Sequence, residues 1–138
     1  QWRSSAASDV YKRQIQIRRI FGQENLKEHF KNIELTEWGE VPNVDMIINA
    51  TSIGLKKEDV MKLDFSLMSG NKFFYDVIYN PNETNFLKIG KELGNKTLNG
   101  KLMFIYQALS AFKIWHGIEP DVNKEVIELL DRWSELEL

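Results

Sequence analysis

The sequence predicts an α/β fold in which helices flank a mainly parallel sheet. Three observations carry that prediction. Short apolar runs alternate with segments of helical period along most of the chain. Turn-forming residues, Asn80-Pro81-Asn82, Gly94-Asn95 and Gly117, punctuate the pattern. No internal repeat suggests a solenoid or array instead.

Taken in order, Ile15-Gln16-Ile17 alternates like a short strand. Gln23–Phe30 reads as a helix, with Leu26 and Phe30 four apart on one face. Asp45–Asn49 is an apolar run between polar residues, the pattern of a buried strand. Leu63–Leu67 reads as a short helical turn, and Phe73–Tyr79 as a second buried strand broken by Asn80-Pro81-Asn82. Thr84 is an N-cap for a helix running to Leu93, which Gly94-Asn95 stops. Lys96–Leu98 forms a short strand. Asn99-Gly100 opens a long helix over Lys101–Trp115, ended by Gly117 and Pro120. This helix is apolar nearly all round, so burial is expected on most sides. A last amphipathic helix covers Val122–Trp133, with Asp121 as its N-cap and Val126, Leu129, Leu130 and Trp133 on one stripe.

Composition narrows the function classes. The 138 residues are 43% hydrophobic and 28% charged, and the length suits one domain with a real core. Without cysteine there is no disulfide scaffold, thiol nucleophile or thiolate metal site. The two histidines, His29 and His116, are far apart, so no metal site is expected. No apolar run reaches the roughly 18 residues of a membrane helix. A net charge of −2 argues against nucleic-acid binding. The charge is uneven, however: residues 1–20 hold five basic residues and one acid, whereas residues 21–138 hold 13 basic and 19 acidic residues. Residues 1–14 show no period, no apolar signal-peptide region and no initial methionine. They read either as a flexible basic arm or, the reading preferred here, as foreign sequence joined to a truncated gene. The expected organisation is that 1–14 arm followed by one domain over 15–138.

In open α/β sheets ligands bind outside the carboxyl ends of the strands, which selects three stretches. Asn49-Ala50-Thr51-Ser52-Ile53-Gly54 offers an amide, hydroxyls and a glycine, either for a ligand or for its own turn. Tyr79, at the end of Asp76-Val77-Ile78-Tyr79-Asn80-Pro81, can present a phenol to a substrate or pack in the core. Gln107, in the apolar helix after Asn99-Gly100, is a buried amide in need of a partner, supplied by a ligand or by neighbouring backbone. Arg18 and Arg19 follow the first strand, where a guanidinium suits the 2′-phosphate of a dinucleotide, or else form an exposed basic pair. His116 lies where a helix dipole favours it. No Ser-His-Asp arrangement, paired-carboxylate motif or Walker loop is visible.

Taken together these stretches resemble the C-terminal half of the shikimate dehydrogenases, in order and in spacing. The matching residues are Asn49–Gly54, then Asp76–Pro81 with Glu83-Thr84, then Asn99-Gly100 followed by Met103, Gln107-Ala108, Phe112, Trp115 and Gly117. The likeness covers about Ile15–Leu130. It implies a Rossmann-like sheet, truncated at its N-terminus, that binds NADP in the cytoplasmic interconversion of 3-dehydroshikimate and shikimate during aromatic amino-acid biosynthesis. It implies that Tyr79 and Gln107 face the substrate and that Arg19, Asn49, Thr51, Ser52, Val77 and Gly100 serve the cofactor, Val77 and Gly100 near the nicotinamide. Arg18 and Ile20 stand where the family has Asn and Thr beside its phosphate-binding Arg. The family's catalytic Lys and Asp belong to an N-terminal substrate domain, and its glycine-rich loop would precede Ile15, where this chain reads SSAASDVYKRQ. The chain alone is therefore expected to be inactive and marginally stable, with a gap between the Ile15–Ile17 and Met46–Ile48 strands. The expected partner is a small-molecule substrate, with neither nucleic acid nor membrane, in a parent that is a monomer or homodimer. The rival readings are a quinate/shikimate paralogue, a non-catalytic nucleotide-binding module, and a structural domain without a ligand in which Tyr79 and Gln107 merely satisfy the core.

Overall fold

A computed structural model describes residues 13–16 and 33–135. The elements run β1 (Arg13–Gln16), β2 (Ile33–Thr36), β3 (Met46–Asn49), β4 (Phe73–Asp76), α1 (Asn85–Glu92), β5 (Lys96–Leu98), α2 (Lys101–His116) and α3 (Lys124–Glu135). The described strands make two sheets, β1-β2 and β3-β4-β5, and every pairing is parallel. The α/β prediction is met. The expected helix over Gln23–Phe30, and Ile17, Arg18 and Arg19, lie outside the described residues.

The described residues divide into two compact units. The first holds β1, β2, the stretch to Pro42 and Leu63–Phe65; the second holds Asn43–Lys62 and the chain from Ser66 onward. In the first, Ile15 stands opposite Leu35 in the β1–β2 ladder. β2 was not foreseen, because just two apolar residues alternate there. Glu40 and Asp64 form an isolated parallel bridge, and the Asp64 N–H donates to the Gly39 carbonyl at 2.8 Å. The stretch expected as a helical turn over Leu63–Leu67 instead carries this bridge at Asp64, followed by a short turn at Ser66-Leu67.

The second unit is built on β4, which lies between β3 and β5. Phe74 is fully buried, and its ring meets that of Phe86 on α1 with centroids 5.1 Å apart. Helix α1 begins as predicted: the Thr84 hydroxyl accepts the Leu87 N–H at 3.4 Å, satisfying one amide of the first turn. It stops at Leu93, before Gly94. Gly90 lets α1 lie close to β4, since a β-carbon there would stand 2.7 Å from Phe74 Cγ. The Asn95 side chain ties the far end of α1 to the loop before β4, donating to the Met68 carbonyl and accepting the Lys72 N–H.

Four expectations need correction. β3 is not fully buried: it ends the sheet order, and Met46 and Ile48, which share one face, are exposed. β4 stops at Asp76 rather than Tyr79, because the Asp76 carboxylate accepts the Ile78 N–H and curls the chain out of the ladder. Helix α3 starts at Lys124, where Asn123 Oδ1 accepts the Val126 N–H at 3.0 Å; Asn123, not Asp121, is the cap. Helix α2 has the predicted span and ends at Gly117 in a left-handed conformation, φ 68°. It is not enclosed, however. Ile105 is buried, whereas Tyr106, Phe112, Ile114 and Trp115 are exposed. A helix apolar on every side needs neighbours on every side, and the described residues supply them chiefly around Ile105.

Candidate functional site

The parallel strands β3 and β4 end level with each other, Asn49 opposite Asp76. Just beyond them the Val77 N–H donates to the Asn49 carbonyl at 3.0 Å. The Gly100 N–H, at the start of α2, donates to the Ile78 carbonyl at 3.0 Å. The three stretches selected from the sequence therefore meet at one end of the sheet. Gly100 is buried so tightly there that a β-carbon would lie 1.9 Å from the Val77 oxygen. Its φ of −77° is ordinary, so the position requires glycine for space rather than for backbone freedom.

A buried polar hub holds this junction. Asp76 is inaccessible to solvent, and a buried carboxyl is tolerated when hydrogen bonds replace its water. Its Oδ1 accepts Asn49 Nδ2 at 3.1 Å and the Ile78 N–H at 3.0 Å; its Oδ2 accepts the Thr84 hydroxyl at 2.6 Å. One side chain thus links the end of β3, the turn after β4 and the cap of α1. Asn49 is equally committed. Its Nδ2 also donates to the Ile53 carbonyl, and its Oδ1 accepts both the N–H and the hydroxyl of Thr51. Two donors and two acceptor sites are the full capacity of an amide, so Asn49 shapes the loop from within.

The loop after β3 is anchored at both ends. At its front, the Thr51 hydroxyl accepts the Ile53 N–H at 3.1 Å. At its back, Asp59 Oδ2 accepts the N–H groups of Gly54 and Lys56 at 3.0 and 3.1 Å. Those two amides, Gly54 first, hold the Asp59 carboxyl below the ordinary aspartate value; desolvation opposes them weakly. Gly54 has φ +115°, and a β-carbon on it would press on Thr84 at 3.2 Å. The backbone strains any L side chain there, and the Thr84 contact a β-carbon would make adds to that strain. Ser52 is exposed on the outer part of the loop.

Leu55, Val77, Ile78, Tyr79 and Asn80 line an open hollow of about 370 Å³. Tyr79 is 38% exposed and stacks on Phe104 of α2, with ring centroids 4.5 Å apart. Gln107 lies one helical turn beyond Phe104, on the neighbouring surface of α2. It is exposed rather than buried, so its amide does not require an internal partner. Arg19 is outside the described residues. His116 meets the Phe112 ring at 4.3 Å, remote in sequence from the hollow. Among the described residues no group of three metal-ligating side chains comes together.

Composition of the walls decides what the hollow suits. Leu55, Val77 and Ile78 give it apolar surface, and Tyr79 and Asn80 add polar groups. The absent β-carbon of Gly100 lets α2 close against Val77 behind this wall. Sequence reasoning missed Leu55, Asp59 and Asn85 here. It quoted Asp76 and Thr84 without giving them their joint role, although an acid ending an apolar run is itself a signal of a buried hydrogen-bonded group.

Residues 102–124 match the family described as the shikimate 5′-dehydrogenase C-terminal domain. The chain is 61% identical over 106 residues to the shikimate dehydrogenase (NADP(+)) of Pelagibacter ubique (strain HTCC1062), covering 77% of this chain and 40% of that protein. Its fold is similar to the crystal structure of shikimate dehydrogenase from Aquifex aeolicus, with TM-score 0.69 and 30% identity over 90% of this chain and 44% of the other. A shikimate dehydrogenase crystallised in complex with NADP+ is similar at TM-score 0.65 and 32% identity, over 81% of this chain and 40% of that one. The fold is accordingly the Rossmann-like α/β fold of those enzymes, and this chain spans about 40% of the length of the Pelagibacter relative.

Proposed function

We propose, from the kinship of this chain with the shikimate dehydrogenases, that it is the NADP-binding portion of an oxidoreductase interconverting 3-dehydroshikimate and shikimate. The observation that carries the reading is the junction of Gly100 with Val77 behind an apolar hollow at the carboxyl ends of parallel strands. The nucleotide-binding domain of this reading takes in β1, which begins at Arg13 rather than at Ile15, and runs on through the C-terminal helices. NADP, when bound, supplies or accepts the hydride.

The chain's own contribution is placement. Hydride transfer depends on holding two reacting carbons in near-attack geometry. Val77, with Gly100 packed closely against its backbone, would form the wall beside a nicotinamide ring. Thr51 and Ser52 would border the path of the dinucleotide, with Asn49 holding their loop, and the family resemblance assigns the 2′-phosphate to Arg19. Tyr79 and Gln107 would hydrogen-bond the hydroxyl-rich substrate. Acid–base work at the carbonyl oxygen falls to the Lys and Asp that the resemblance assigns to an N-terminal domain. Among the described residues no helix is long and apolar enough to cross a membrane. The biosynthetic role carries a cytoplasmic setting with it, in a monomer or homodimer.

The test is NADP+ reduction by the whole protein carrying this sequence when shikimate is added. Tyr79→Phe and Gln107→Ala should each raise the shikimate KM roughly tenfold, the effect of one lost hydrogen bond, and leave the NADP+ KM in place. Absence of shikimate-dependent NADPH formation overturns the reading. Preference for quinate or for NAD+ overturns the substrate or the cofactor assignment.

A further inference from the structure

We infer that Asp59 is a positioning residue for the cofactor, holding Leu55 as one wall of the hollow; the inference rests on the reading just proposed. One carboxylate oxygen, Asp59 Oδ2, accepts the N–H groups of both residues that flank Leu55, Gly54 at 3.0 Å and Lys56 at 3.1 Å. The backbone of Leu55 is therefore held on either side. Its side chain is 57% exposed, yet it lines the hollow with Val77, Ile78, Tyr79 and Asn80. An apolar side chain on an anchored backbone, largely uncovered, is suited to a ligand surface rather than to the core.

The anchor behind Asp59 is firm. Asn85 Nδ2 donates to the Asp59 carbonyl at 2.8 Å and to the Lys57 carbonyl at 3.2 Å. Asn85 is the first residue of α1, and its neighbour Thr84 is bonded to the buried Asp76. Gly54 completes the arrangement, since its φ of +115° shapes the turn that enters Leu55 and Thr84 leaves little room there for a β-carbon, which would meet it at 3.2 Å. Leu55 is thus referenced, through Asp59 and α1, to the same hub that sets Val77 and Tyr79. Two walls of the hollow share one frame.

The experiment measures the KM of NADP+ and of shikimate for the whole protein and for Asp59→Ala, Asp59→Asn and Leu55→Ala. Asp59→Ala should raise the NADP+ KM roughly tenfold, as expected when hydrogen bonds that fix a binding wall are lost. The shikimate KM should change far less. Asp59→Asn keeps an oxygen that accepts both N–H groups, and should stay within about threefold of wild type. Leu55→Ala leaves the clamp intact and should raise the NADP+ KM on its own. Combining it with Asp59→Ala should add little, because both act on one wall. An unchanged NADP+ KM in Leu55→Ala overturns the inference even if Asp59→Ala does not fold. So does an Asp59→Asn protein no better than Asp59→Ala, or an equal rise in both KM values. A wild-type protein that reduces NADP+ with shikimate while all three variants match its KM values overturns the role of Asp59 and leaves the function standing. A wild-type protein with no such activity removes both.

Discussion

A β-carbon on Gly100 would stand 1.9 Å from the carbonyl oxygen of Val77. That contact fixes how closely α2 approaches the end of β4, and it cannot relax by moving a side chain, because the opposing atom is backbone. Gly100→Ala should therefore displace the start of α2. Overpacking of this kind costs about 1–3 kcal/mol, and more where the backbone must shift. The expected outcome is a lowered Tm together with a loss of NADP+ affinity. An alanine variant with wild-type Tm and affinity would show that the junction is looser than described.

The second glycine that governs packing is Gly90, whose β-carbon would meet Phe74 Cγ at 2.7 Å. Alanine gains about 1 kcal/mol in helix propensity over glycine, but the buried Phe74 ring must give way, at about 1–3 kcal/mol. Gly90→Ala should be net destabilising in denaturant titration. Phe74→Leu in the same chain removes part of the ring and should recover some of that loss, so the double-mutant cycle should show coupling. Additive effects would mean that the two residues do not constrain each other.

Thr84 serves two ends of one network: its hydroxyl donates to Asp76 Oδ2 at 2.6 Å and accepts the Leu87 N–H. Thr84→Val keeps the shape and removes both bonds. The lost cap costs about 1 kcal/mol, and the buried carboxyl oxygen left without its partner costs about 1–3 kcal/mol more. Thr84→Ser retains the hydroxyl and should recover most of the stability. Equal Tm values for the valine and serine variants would contradict the network.

Asp59 gives a pH-dependent signature. Its carboxyl is held below the ordinary value, chiefly by the Gly54 N–H and then by the Lys56 N–H. A group with a depressed folded-state value stabilises the fold above its unfolded value, and that contribution is lost as pH falls through the folded value. The amide resonances of Gly54 and Lys56 should therefore titrate together, below the ordinary aspartate range. Both should lose that titration in Asp59→Asn. Independent titration of the two amides would break the shared-oxygen geometry.

Much of this was legible along the chain, for identifiable reasons. Thr84 before an amphipathic run, Gly94 and Gly117 after helices, and the apolar runs at Met46–Asn49 and Phe73–Asp76 are local signals, and the structure keeps them. The convergence of Asn49–Gly54, Val77–Tyr79 and Gly100 follows from the rule that parallel strands present their carboxyl ends together. What local pattern could not carry was the tertiary commitment of single polar groups. Asp59 in Lys56-Lys57-Glu58-Asp59 reads as a solvated charge run until the chain folds back to bring Gly54 N–H and Asn85 to it. Asp76 shortens β4 through a bond to Ile78, and Asn123 displaces Asp121 as the cap of α3. Burial of α2 was overread because apolar composition says what a helix can bury, not how many neighbours it meets.

The most direct measurement is a crystal structure of the whole protein with NADP+ and shikimate. The account predicts the nicotinamide ring against Val77 and Gly100, with Leu55 closing the hollow and the Tyr79 hydroxyl and Gln107 amide on shikimate. A nicotinamide bound elsewhere, with the hollow beside Val77 vacant and Tyr79 turned from the substrate, would contradict it.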